Sequence, residues 1–310
     1  MGIESREHDP IPSSLAVPAA KRVVRPYGAY FHGKLPPFLD RTGDSKTMRR
    51  VVFNQKGGVG KSTIACNLAA ISAVRGKDTV ILDLDPQGNT SRYLLGESVR
   101  DPGPDAAAFF HQMLSFAFRE QPLEAFLRPT PFENLRVLTA NLELEDMEGK
   151  LESRYKMLKL REALDGFPAE TAVFIDTPPA LNFYSRSALI AAHGVLIPFD
   201  CDDFSRQSLY ALMNNIREIQ ADHNRGLTLD GIVVNQFQPR ARLPRQLVQE
   251  LKSEGHPVLD AFLSSSVKIR ESHSRALPLI HLDAMHKLCR EFEALYDALP
   301  PNDTAGLDGL

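Results

Sequence analysis

The sequence predicts an α/β fold with a doubly wound, mostly parallel sheet flanked by helices. Three observations predict it. Short apolar runs alternate with longer amphipathic stretches along residues 50–299, the pattern of successive βαβ units. The short runs are apolar at nearly every position, as expected of strands covered on both faces. The first run leads through a glycine-rich turn straight into an amphipathic stretch, and open α/β sheets bind ligands at such strand–turn–helix corners.

Residues 1–48 contain Pro10, Pro12, Pro18, Pro26, Pro36 and Pro37 and little apolar periodicity. A mostly disordered basic extension is expected there, either a tolerated tail or a docking or DNA-touching arm. Val51-Val52-Phe53 opens the sheet, and a helix is expected over about Ser62–Arg75. Thr79–Leu84, Leu135–Leu138, Ala172–Ile175, Val195–Ile197 and Gly231–Val234 read as further strands, with a weaker one near Leu259–Leu263. Helical patterns fall at Asp105–Phe118, Leu142–Leu164, Phe204–Ile219, Arg245–Lys252 and Leu282–Leu299. One domain over 49–300 is expected, with 301–310 a flexible tail.

Composition narrows the function classes. At 43% hydrophobic and 24% charged residues, the chain can bury an ordinary globular core. The net charge of −3 conceals an asymmetry: residues 1–50 carry nine Lys/Arg against five Asp/Glu. Whole-chain charge therefore does not exclude a local basic patch. Cys66, Cys201 and Cys289 are scattered, which argues against a disulfide framework or zinc site and favours a reducing cytoplasm. No apolar run approaches the roughly 18–20 residues that span a bilayer, and the start is polar, so no membrane association is expected.

The chemistry concentrates at Lys56-Gly57-Gly58-Val59-Gly60-Lys61-Ser62-Thr63. Glycines let the backbone turn tightly and aim N–H groups at an anion, and the following helix adds positive charge at its N-terminus. Lys61 can reach the β- and γ-phosphates of a nucleotide, and the Ser62 hydroxyl can ligate Mg²⁺. The usual phosphate-loop spacing has Gly where this chain has Gln55, and a second lysine, Lys56, follows it. Asp176 ends an apolar strand, where it can hold Mg²⁺ through water; before Pro178-Pro179 it equally suits a turn. Asp85 also closes a strand. Asn235 ends another, and its amide offers a donor and an acceptor to a purine edge or to a turn.

These motifs, with Leu82-Asp83-Leu84-Asp85-Pro86-Gln87-Gly88-Asn89 and Val173-Phe174-Ile175-Asp176-Thr177-Pro178-Pro179, resemble the ParA/MinD family of deviant Walker-type ATPases, and its ParA partition branch most closely. The resemblance covers about residues 50–299. It implies a P-loop NTPase-like fold with a deviant Walker A loop and Mg²⁺-dependent ATP hydrolysis. It assigns Lys56 to the signature lysine that crosses to a second protomer's nucleotide, giving an ATP-sandwich homodimer. It assigns Asp85 to the switch that orients the attacking water, and Asn235 to the base. It further implies non-specific DNA binding, nucleoid association and stimulation by a ParB-like centromere-binding partner.

Residues 236–280 hold seven basic groups against four acidic ones. Lys252 and Lys268 lie closest to the family's basic positions, and Arg270 and Arg275 complete the candidate DNA contacts. There is a departure: where the family shows an EAPSxGKP-like stretch, this chain reads Glu271-Ser272-His273-Ser274-Arg275-Ala276-Leu277-Pro278. A MinD-type membrane role would need a basic amphipathic terminal helix, whereas the end here is acidic and broken by Pro and Gly. An iron–sulfur reductase would need paired cysteines. The closest competing expectation is a ParA-like ATPase that positions a protein assembly or assists conjugation, with the same site chemistry.

Overall fold

The computed structural model describes residues 49–115, 120–200, 205–238 and 242–300. The expected extension over 1–48 and tail over 301–310 lie outside the described residues. Seven strands form one sheet: β1 (Arg49–Val52), β2 (Thr79–Asp83), β3 (Arg128–Pro129), β4 (Leu135–Leu138), β5 (Ala172–Asp176), β6 (Gly194–Asp200) and β7 (Thr228–Asn235). Their order is β3-β4-β2-β5-β1-β6-β7. All pairings are parallel except β3 with β4. From β1 the chain crosses β5 to reach β2, and from β5 it crosses back over β1 to β6. The winding therefore reverses around β5 and β1, the crevice in which such sheets bind ligands.

Alternation within each strand divides the core. Val51, Val80, Leu82, Val173, Ile175, Val195, Ile197, Ile232 and Val234 face one layer. Val52, Ile81, Phe174, Leu196 and Val233 face the other. The first layer is closed by α3 (Ala106–Gln112), α4 (Glu143–Ser153), α5 (Lys159–Leu164), α6 (Phe183–Ala191), α7 (Ser205–Asp222) and α8 (Arg242–Ser253). The second is closed by α1 (Lys61–Val74), α2 (Asn89–Leu95), α10 (Leu279–Leu282) and α11 (Lys287–Ala298), with α9 (Lys268–Ser274) at its margin.

Several expectations are corrected. The helix expected over Leu142–Leu164 is two, because Tyr155 adopts φ 53° and ends the first run. Leu259–Leu263 is not a strand. Its Leu259 and Leu263 amides bond the Ile232 and Val234 carbonyls of β7, but the segment joins the sheet side through isolated parallel bridges, Val258 with Ile232 and Ser264 with Phe237, without a continuous ladder. The C-terminal helix starts at Lys287, where the His286 side chain accepts from the Leu288 amide. The short helices α2 and α6 were not anticipated. The latter is announced by a capping box in which Asn182 and Ser185 satisfy each other's backbone amides.

The departed stretch 271–278 still closes its turn. Ala276 takes the left-handed conformation, φ 51°, and its Cβ lies close over Gly96. A side chain in that region costs roughly 1–2 kcal/mol. Ala276→Gly is therefore expected to stabilise the fold by about 1 kcal/mol after the greater freedom of glycine in the unfolded chain is subtracted. A thermal melt should show a rise of about 2–4 °C.

Candidate active site

Six parallel strands bring their carboxyl ends to one edge, and the groups singled out in the sequence gather there. The phosphate loop leaves β1. Asn54 fixes its start, donating from Nδ2 to the Pro198 carbonyl at 2.7 Å and accepting the Lys56 amide at 2.9 Å. Gly60 caps α1 at φ 91°. A Cβ there would stand 2.3 Å from Asn235 Nδ2, so only glycine fits. The space above Gly57 and Gly58 is open. Helix α1 has neither a capping side chain nor an acidic residue in its first turn. Its amide donors are thus left to an anion.

Lys61 lies in the floor of the loop, 7% exposed, and donates to the Lys56 carbonyl at 3.1 Å. Burial lowers its pKa, opposed by the charges of Asp176 and Asp85. The Lys56 ammonium points to the end of β6, where it pairs with Asp200 at 3.6 Å. Both partners are about one-third exposed, so this pair is worth at most about 1 kcal/mol.

Register places the carboxylates. Val52 and Asp83 both pair with Asp176 across the sheet. Asp176 is fully buried. It accepts from Thr90 Oγ1 at 2.8 Å and from its neighbour's amide at 3.1 Å. Burial raises its pKa, opposed by hydrogen bonds from Ser62 and Thr90. Asp83 is raised further, by burial and then by repulsion from Asp176. It is held by the Ser91 amide at 2.8 Å and hydroxyl at 2.7 Å. Asp85 is 6% exposed and accepts the Gln87 amide at 3.0 Å.

Asp85 and Asp176 thus face one buried lysine, with Asp83 paired to Asp176 across the sheet. That surplus of negative charge fits a divalent cation, with the Ser62 hydroxyl and Asp176 on the side where it would sit. Among the described residues, no group of three or more His, Cys, Asp or Glu closes a protein-only metal cage. This donor set suits Mg²⁺, which keeps waters and takes phosphate oxygens.

The other sequence candidates divide. Thr63 turns its hydroxyl to His273 Nε2, 2.9 Å away. Asn235 donates to the Val59 carbonyl at 2.9 Å, so its amide braces the phosphate loop. Lys268, Arg270 and Arg275 lie together on α9 and at its C-terminal end. Lys268 pairs with Glu271 and Asp283, and Arg275 also pairs with Glu271. Lys252, on α8, pairs with Asp260. Arg270 is exposed. Arg240 lies outside the described residues, as does Cys201.

Four groups of the site were not anticipated: Asn54, Thr90, Ser91 and Asp200. Thr90 and Ser91 follow directly on Asp85–Asn89, so their hydroxyls were within reach of a closer reading. Asn54 and Asp200 owe their roles to the β1–β6 pairing, which sequence spacing does not reveal.

A family profile described as an AAA domain matches residues 48–229. The chromosome partitioning protein ParA of Myxococcus xanthus is 32% identical over 256 residues, covering 82% of this chain and 88% of that protein. The chain belongs to the ParA family of partition ATPases. The chromosome-partitioning ATPase Soj of Treponema pallidum is 32% identical over 251 residues, covering 79% of this chain and 94% of its own length. Among solved structures, cobyrinic acid a,c-diamide synthase of Mycobacterium smegmatis with a bound ATP analogue and magnesium superposes with a TM-score of 0.64 at 25% identity. It covers 78% of this chain and 98% of that one. As a ParA-family protein, the chain is an ATPase that uses ATP and Mg²⁺.

Proposed function

We propose that this chain is a DNA-segregation ATPase that forms an ATP-sandwich homodimer, rides non-specific double-stranded DNA on the nucleoid and is released by a ParB-like partner. The placement of the two lysines carries this reading. Lys61 serves its own phosphate loop, while the Lys56 ammonium lies at the rim on a weak, part-exposed pair with Asp200. A partner's phosphates can compete with the Asp200 carboxylate for such a lysine, and a cation supplied in trans ties hydrolysis to dimerisation.

Within one site, the α1 amides and Lys61 hold the phosphates. Ser62 and Asp176 would hold Mg²⁺, which would supply charge neutralisation to the phosphates. Asp85 orients the attacking water at the γ-phosphate, and Asn235 keeps the loop in shape against the base. Phosphoryl transfer needs such positioning and charge neutralisation more than a strong base. The cations of α9, Arg270 foremost, with Lys252, Lys268 and Arg275, supply the DNA-facing charge. Their acidic neighbours tune it.

Retention on non-specific double-stranded DNA, measured with ATP–Mg²⁺, with ADP–Mg²⁺ and without nucleotide, tests the proposal. Retention is expected with ATP only. If four cations engage phosphates, it should fall about a hundredfold between 50 and 200 mM salt. Absence of retention in every state, with ATP binding demonstrated, would overturn the DNA-riding reading and leave the ATPase site standing.

A further inference from the structure

The two hydroxyls in the first turn of α1 diverge. That of Ser62 turns to Asp176, on the metal side. That of Thr63 turns to the His273 ring, 2.9 Å away. His273 is held for this contact. Its ring stacks on Tyr93 with centroids 4.0 Å apart and planes 16° from parallel. Tyr93 is 1% exposed, and its hydroxyl bonds the neighbouring Ser272 side chain at 2.5 Å. Asn67 bonds the Tyr93 hydroxyl at 3.1 Å, the Thr63 carbonyl at 2.8 Å and the Leu279 amide at 2.8 Å. The buried Tyr93, Asn67 and Ser272 therefore back the exposed His273 ring and its bond to Thr63, and set the two in a fixed relation.

Resting on the ATP site proposed above, we propose that His273 is a positioning residue for the nucleotide, acting through Thr63. A hydroxyl carries one proton and two lone pairs. When His273 donates Nε2–H into a Thr63 lone pair, the Thr63 proton is left to point at a phosphate oxygen over the α1 N-terminus. Without the imidazole, the same hydroxyl is free to turn towards backbone acceptors of its own helix. The bond also joins the phosphate loop directly to the helix that carries Lys268 and Arg270.

The test is ATP–Mg²⁺ binding by calorimetry in His273→Phe, His273→Gln, Thr63→Val and the Thr63→Val/His273→Phe double variant, each first checked for a cooperative melt. Phenylalanine keeps the stack on Tyr93 and removes the nitrogen; glutamine restores a donor near the Nε2 position. His273→Phe is expected to weaken ATP binding about fivefold, the worth of one net hydrogen bond, and His273→Gln to remain within about twofold of the parent. In the Thr63→Val background, His273→Phe should add less than about twofold. Parent-like binding by His273→Phe, or an undiminished penalty in the Thr63→Val background, would overturn the proposal. Failure of the parent chain itself to bind ATP–Mg²⁺ would instead overturn the ATP site on which it rests.

Discussion

Lys61→Ala is expected to weaken ATP binding by about thirtyfold to several thousandfold and to take hydrolysis below detection. The lysine is buried, bonds the loop carbonyl of Lys56 and stands against Asp176 and Asp85. Its ammonium is thus already stripped of most water and aimed where the phosphates lie. Removing one partner of a desolvated charge contact costs about 2–5 kcal/mol, and each 1.4 kcal/mol is a tenfold loss. Loss of the cation removes the counter-charge of Asp85 and Asp176, and Mg²⁺ on the Ser62–Asp176 side does not replace an ammonium in the loop floor, so added Mg²⁺ should not rescue nucleotide binding. Calorimetry across a range of Mg²⁺ concentrations checks both statements.

Lys56→Ala is expected to behave differently. ATP binding by the monomer should stay within about twofold of the parent, because Lys61 lies in the floor of the loop whereas the Lys56 ammonium reaches away to Asp200 at the end of β6. Hydrolysis in the dimer should fall about a thousandfold, the lower range for loss of a cation supplied in trans. The two lysines lie five residues apart in one loop, yet one variant should fail at binding and the other at the chemical step. Binding and single-turnover hydrolysis measured on the same preparations separate them.

Much of this was legible in the sequence because the relevant signals are local. The central strands were evident as apolar runs, and their alternate residues do enter two layers. The loop from Lys56 to Thr63 and the carboxylates Asp85 and Asp176 each sit at a strand end, so knowing the strands amounts to knowing the site's edge. What escaped depends on contacts distant in sequence. Asp200 meets Lys56, and Asn54 meets Pro198, only because β6 lies beside β1. His273 meets Thr63 across 210 residues. Asn235 was expected at a purine edge or in a turn, and the Val59 carbonyl that its amide meets lies 176 residues away, beyond the reach of spacing. The basic count around α9 gave the sign of the local charge but not its pairing. Glu271 lies between Lys268 and Arg275 and binds both.

The central claim is that Lys56 completes the site of the other protomer. Mixing Lys56→Ala with Asp85→Ala tests it most directly, because both variants keep Lys61 and the phosphate loop and so can bind ATP and assemble. Alone, each should hydrolyse ATP at a small fraction of the parent rate. In an equal mixture with random pairing, half the dimers are mixed. Each mixed dimer joins an intact Asp85 to a Lys56 from across the interface at one of its two sites, so the mixture should regain about a quarter of parent activity. A mixture no more active than the sum of its parts, or a Lys56→Ala protein hydrolysing at the parent rate, would contradict a lysine acting in trans.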